Sequence, residues 1–122
     1  MNTYGFEKLD VWNKSVELSE EIYLITKEFP SDEKFGIISQ LRRASISVSS
    51  NIAEGSSRSS YKEQARFSEI AYGSLVEVLN QIILSSRLGF IEEDSYLKIR
   101  ELIEEISNKL NGLRKYQLGK VK

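Results

Sequence analysis

Between Gln40 and Arg58 the chain reads QLRRASISVSSNIAEGSSR, and its polar residues recur in steps of three or four. On a helix turning about 100° per residue, Gln40, Arg43, Ser47, Asn51 and Glu54 fall on one stripe about 80° wide. Ile38, Leu41, Ser45, Val48 and Ile52 form a second, mostly apolar stripe about 140° away. A helix with one oily face and one patterned polar face packs on two kinds of neighbour. The stretch therefore constrains architecture and assembly before it says anything about chemistry.

Three more segments carry helical periodicity, and the breaks between them are few because the chain holds one proline and seven glycines. The first helix is expected over residues 8–28, with Leu9, Trp12, Val16, Ile22, Tyr23 and Phe29 on its apolar face and Pro30 stopping it. Ser31 and Asp32 are expected to cap the second helix, residues 33–54, and Gly55 to end it at positive φ. Ser60 and Glu63 form a capping box for a third helix over residues 61–87, which Leu88-Gly89 ends. The fourth, over residues 92–117, shows the cleanest repeat: Tyr96, Ile99, Ile103, Ile106, Leu110 and Leu113. Residues from Leu118 onward are expected to fray. Four helices with short connections bury four apolar stripes most economically as one all-α domain, an antiparallel up-down-up-down four-helix bundle.

The second half of the third helix is too apolar for a helix with one wet face, since Leu75, Val78, Leu79, Ile82, Ile83 and Leu84 cover more than half its circumference. A homo-oligomer is expected from that surplus. With the reversal placed near Ser57, positions whose numbers sum to about 115 should lie level on the second and third helices. Ser47 is then expected near Ser68, Asn51 near Gln64 and Glu54 near Tyr61, with Arg43 within reach of a salt bridge to Glu77. The first reading of the stripe is structural: Gln40, Arg43, Ser47, Asn51, Glu54, Ser74 and Glu77 form a polar network that fixes register. A second is that Arg42, Arg43, Asn51, Glu54 and Arg58 face a ligand. A third gives Glu54, Glu63 or Glu77 a catalytic carboxylate role, with no nucleophile or metal set beside them. Gly73 in mid-helix is expected to admit the close approach of another group, because glycine there costs about 1 kcal/mol relative to alanine.

Absences narrow the chemistry. With no cysteine and no histidine, the chain lacks thiol nucleophiles, Ser-His dyads, zinc fingers and Glu-x-x-His di-iron sites. Neither a Gly-x-x-x-x-Gly-Lys nor a Gly-x-Gly-x-x-Gly phosphate loop occurs. A non-enzyme without cofactor or metal is therefore expected. The N-terminal MNTYGFEKLDVW has no basic region followed by an apolar core, and no apolar run approaches the roughly 20 residues that span a bilayer. A cytoplasmic protein without a membrane partner follows as the expectation.

Net charge is −1, so no global basic signature marks a nucleic-acid binder. Its distribution is uneven: Lys109, Arg114, Lys115, Lys120 and Lys122 lie in a final segment without an acid, leaving 12 basic and 18 acidic residues before it. Cations at a helix C-terminus suit the macrodipole, and they also suit an anionic partner.

FEKLDVWNKS, YLITKEFPSDEKFGIISQLRRA, SISVSSNIAEGSSRSS and EIAYGSLVEVLNQIILSSRLG together carry a specific likeness. The chain resembles the small bacterial four-helix-bundle family of 23S rRNA intervening-sequence proteins, sometimes mislabelled ribosomal protein S23. The run RRASISVSSNIAEG followed by Arg58 is the most specific part. Where many relatives carry a proline before Asn-Ile-Ala-Glu-Gly, this chain has Ser49-Ser50, and its second helix is expected to be straighter. The resemblance implies a ring-shaped homopentamer. Some relatives are encoded within 23S rRNA genes. Others, accessory proteins of diversity-generating retroelements, bind nucleic acid and a reverse transcriptase.

A non-enzymatic oligomeric scaffold or accessory factor that touches RNA or DNA phosphates is the resulting expectation, with Arg42, Arg58, Lys62, Arg66, Arg114 and Lys115 as contacts. The alternative is a module that binds a protein partner through exposed apolar helix faces.

Overall fold

The four apolar periodicities fold as four α-helices: α1 (Asp10–Thr26), α2 (Ile37–Ser56), α3 (Tyr61–Arg87) and α4 (Glu93–Gly119). This is a computed structural model that describes all residues from Met1 to Lys122. Two short 3-10 turns, Gly5–Lys8 and Ser31–Glu33, complete the secondary structure, and there is no strand. The helix packing fits a bundle. Each helix gives its apolar stripe to a common core: Leu18 and Ile22 from α1, Leu41 and Val48 from α2, Leu75, Val78 and Ile82 from α3, and Ile99, Ile106 and Leu110 from α4, all fully buried. Each such aliphatic side chain contributes about 1.5–3 kcal/mol by leaving water. Truncating Ile82 or Ile106 to alanine would remove that and leave a cavity, at about 2–5 kcal/mol.

Contacts between neighbouring helices pair rising numbers on one with falling numbers on the other. Along α2 and α3, Gln40 meets Gln81 and Ser47 meets Ser74. Along α1 and α4, Asp10 meets Lys109, Lys14 meets Glu105 and Glu21 meets Lys98. Ser68 of α3 meets Gln117 of α4. One end of the molecule thus gathers the α2–α3 connection, the start of α1 and the end of α4. At the other end Phe29 packs on Phe90, ring centroids 5.5 Å apart.

Helix boundaries depart from expectation where the chain reverses. Ser31 and Asp32 do not cap a helix beginning at residue 33; they belong to the 3-10 turn, and α2 starts only at Ile37, with Gly36 before it and no side-chain cap. Bonds from Glu33 N to Pro30 O and Gly36 N to Glu33 O, both 3.0 Å, carry the reversal in the tighter i→i+3 pattern. At the start of α3 half of the expected capping box is present: Ser60 Oγ accepts from Glu63 N at 3.2 Å, while the Glu63 carboxylate lies 3.9 Å from Arg66 and does not return a bond to Ser60 N.

Gly55 does not end α2 at positive φ. It is buried within the helix, which runs to Ser56, and a Cβ there would lie 2.8 Å from Cβ of Phe67. Glycine is required for the approach of α3. Gly89 is the residue with positive φ, 76°, and it terminates α3 with Phe90 N bonded back to Ser85 O at 2.9 Å. Gly73, in contrast, is exposed, and nothing in the chain lies within 4 Å of where its Cβ would be. Within the single chain the expected close approach at Gly73 is absent.

The apolar surplus of α3 is largely absorbed by the core: Leu75, Val78 and Ile82 are buried, Leu79 and Ile83 half-buried, and Leu84 exposed. α4 is longer than expected and stays helical through Gly119, because buried Gln117 ties its last turn to Ser68. No helix is long and apolar enough to cross a membrane.

Candidate functional site

The polar face of α2 meets α3, but in a different register from the one the turn position suggested. Ser47 faces Ser74, their hydroxyl oxygens 2.8 Å apart, so level positions sum to about 121 and not 115. Continuation of α2 through Gly55 and Ser56 accounts for part of the shift, and the first turn of α3 extending past the end of α2 accounts for the rest. Asn51 consequently does not reach Gln64. Its Nδ2 donates to Ser47 O at 2.8 Å and Ser47 Oγ at 3.0 Å, while Gln64 Nε2 donates to Arg58 O at 2.9 Å. Gln40 enters through Gln81, a buried residue whose Nε2 donates to Gln40 Oε1 at 3.3 Å.

Three members of the predicted set stand outside these bonds. Arg43 and Glu77 line one polar cleft of about 320 Å³ with Gln40, Ala44 and Ser47, yet they form no ion pair. Both side chains are exposed, where such a pair gains little over hydration. Glu54 is also exposed and makes no side-chain hydrogen bond. Glu54, Glu63 and Glu77 do not converge, and no three acidic residues assemble into a group suited to a metal ion.

The candidate phosphate contacts divide between two regions. Arg42 sits against the C-terminal part of α1: its Nε donates to Thr26 Oγ1 at 3.0 Å, and its guanidinium lies 4.4 Å from the Tyr23 ring centroid. Arg58, Lys62, Arg66, Arg114 and Lys115 belong to the opposite end. There Arg58 stacks on Phe67 at 4.6 Å, and Lys62, Arg66 and Arg114 line one cleft between α3 and α4.

A plane through the Ser47–Ser74 bond and the Lys14–Glu105 level cuts the molecule into halves of opposite charge. Residues 1–13, 48–74 and 107–122 hold 9 Lys/Arg and 5 Asp/Glu, a net of +4; the remainder hold 8 and 13, a net of −5. In the basic half most of the acids are already engaged. Asp10 holds Lys109 at 2.6 Å, Glu69 holds Arg114 at 3.6 Å, Glu63 lies 3.9 Å from Arg66, and Glu7 accepts from Tyr4 N at 2.7 Å. Lys8, Arg58, Lys62, Lys115, Lys120 and Lys122 have no carboxylate partner in the chain.

Two features of this end gave no signal in the sequence analysis. The Lys109 ammonium, by hydrogen bond and then by charge, lowers the Asp10 carboxyl below its ordinary range, and Asp10 raises Lys109 in return. Tyr61 and Tyr116 meet edge to face, centroids 6.2 Å apart and planes at 80°. The Tyr116 side chain raises the Tyr61 hydroxyl above its ordinary value, through hydrogen bonding first and charge second. Each pairing joins residues about 50 or more positions apart, beyond the range of any local pattern.

Fold and site together define a four-helix, all-α protein with polar bonds between its helices and an excess of basic over acidic residues at one end. The chain belongs to the 23S rRNA-intervening sequence protein family, whose profile matches residues 7–112. It is similar to a solved protein of unknown function from the S23 ribosomal protein family of Bacteroides thetaiotaomicron VPI-5482, at 25% identity and a TM-score of 0.80. That likeness covers 86% of this chain and 98% of the other. No curated protein matches the chain.

Proposed function

We propose that this chain is a non-enzymatic, cytoplasmic accessory protein, an antiparallel up-down-up-down bundle that assembles with copies of itself and touches nucleic-acid phosphates. The observation that carries the reading is the sorting of charge along the bundle, +4 in the half that contains the α2–α3 connection and −5 in the other. Phosphate binding needs clustered cations more than it needs net positive charge, and the unpaired Arg58, Lys62, Lys115 and Lys120 supply a cluster. Arg42 is left out of this surface because it lies in the acidic half. Repetition in an assembly, a pentameric ring among the arrangements relatives adopt, would multiply a modest patch into a strong field.

Filter binding to a structured RNA across a salt series tests the proposal. Affinity that falls steeply as salt rises is expected, with a slope set by the number of phosphates neutralised. No binding at low salt, or binding indifferent to salt, would sink it. Light scattering tests the assembly separately, and a monomer at micromolar concentration would contradict it.

A second reading, a protein-interaction module, draws support from the cleft of about 220 Å³ between α3 and α4, lined by Tyr72, Leu75, Val76, Leu79 and Ile103. A stoichiometric protein partner recovered after nuclease treatment would favour it.

A further inference from the structure

The basic end carries aromatic surface among its cations. Tyr61 opens α3 and Tyr116 lies in the last turn of α4, and their edge-to-face contact leaves 41% and 56% of the two residues exposed. Lys62 and Lys115 are their chain neighbours, and Lys120 Nζ lies over the Tyr116 ring, 5.5 Å from its centroid, a flexible contact that a stacking base would displace. Exposed aromatic rings are a potential contact surface for a flat apolar partner, since each carries an apolar body with a π-face. This pair sits at the rim, among cations that have no carboxylate partner.

We propose that Tyr61 and Tyr116 form a stacking platform for an unpaired base, so that this end prefers single-stranded nucleic acid to duplex. The inference rests on the phosphate-contact reading above and adds a base contact to it. In a duplex the base faces are covered by their neighbours, and only backbone and groove edges remain for a surface of this kind. A single strand offers its base faces freely. Ring-on-base stacking is sequence-tolerant, since every base has a π-face, and lysines flanking the rings meet the phosphates on either side. Arg58, whose guanidinium lies over the Phe67 ring 4.6 Å from its centroid at the same end, adds a cation for a phosphate.

The test compares a single-stranded oligoadenylate, an abasic strand of the same length and a duplex of the same length, each titrated at low salt. The native chain is expected to bind the oligoadenylate about tenfold more tightly than the abasic strand, the effect of stacking one base. Replacing Tyr61→Leu and Tyr116→Leu together keeps apolar bulk but removes both rings, and should bring that ratio to within about twofold. Tyr61→Phe with Tyr116→Phe should retain it. Lys62→Glu with Lys115→Glu should weaken both strands alike, and Arg42→Glu, in the acidic half, should change neither. Thermal melting of each variant controls for folding, and the ratio itself does not depend on the folded fraction. Equal affinity of the native chain for the base-bearing and abasic strands, or an unchanged ratio in the double-leucine variant, would overturn the stacking platform while leaving phosphate contact standing. No binding of any strand would remove both.

Discussion

The hydroxyls of Ser47 on α2 and Ser74 on α3 lie 2.8 Å apart, and Asn51 donates to Ser47 from one turn further along α2. These bonds join level positions of α2 and α3, and the plane through them separates the basic half of the molecule from the acidic half. Ser47→Ala should destabilise the fold by about 0.5–1.5 kcal/mol, the usual net worth of a half-buried hydrogen bond. A double-mutant cycle with Ser74→Ala, read from urea midpoints, should show coupling between the two sites; strict additivity would mean that the contact contributes nothing.

The two mid-helix glycines are expected to respond to alanine with opposite signs. At Gly55 the new methyl meets Phe67 Cβ at 2.8 Å, so overpacking of about 1–3 kcal/mol should outweigh the gain in helix propensity. At Gly73 the methyl meets nothing within 4 Å, and Gly73→Ala should raise stability by up to about 1 kcal/mol. A Gly73→Ala variant that loses stability or changes assembly size would show that another copy packs there.

Ser68 donates to Gln117 Oε1 at 2.6 Å with both residues buried. Ser68→Ala leaves that amide without its partner, at a cost of about 1–3 kcal/mol. Hydrogen exchange should report the loss first in the last turn of α4, and uniform loss of protection along α4 would argue against a local tie.

The Asp10–Lys109 clamp between α1 and α4 carries a defined pH dependence. Because the folded state lowers the Asp10 pKa, its contribution is complete above the unfolded carboxylate value and is lost as pH falls through the folded one. Lys109 is raised, so its share is complete below its unfolded value and is lost only in strong alkali. The Tm gap between the native chain and Asp10→Asn should therefore be full at neutral pH, begin to narrow near about pH 4 and close only at pH values below that. Added salt should narrow it, since both groups are largely in water. A gap independent of pH would assign it to packing.

Much of the architecture was legible from local pattern. The stripes of α2 and the repeat of α4 placed the helices, and Ser60 marked the start of α3, because helical period and capping depend only on residues within a turn of one another. Ser47, Asn51 and Ser74 were singled out as a group because short polar residues on a packing face need partners. Their actual partners were less legible: the Ser47–Ser68 level depends on how far α2 runs before the chain reverses, whereas Arg43 and Glu77 do come level and stay unpaired because both are exposed.

By itself, then, the sequence determined four helices and the face each one buries, since backbone geometry converts spacing into direction at every turn. Only the tertiary structure decided what those faces meet. Gly55 reads as a helix stop in one dimension, and packing against Phe67 makes it a point of close approach. Tyr61 and Tyr116 belong to two separate helices until the fold places them in contact. The charge halves likewise have no counterpart in any single segment, because register is set by side-chain volume where helices touch, and that volume is shared between residues far apart in the chain.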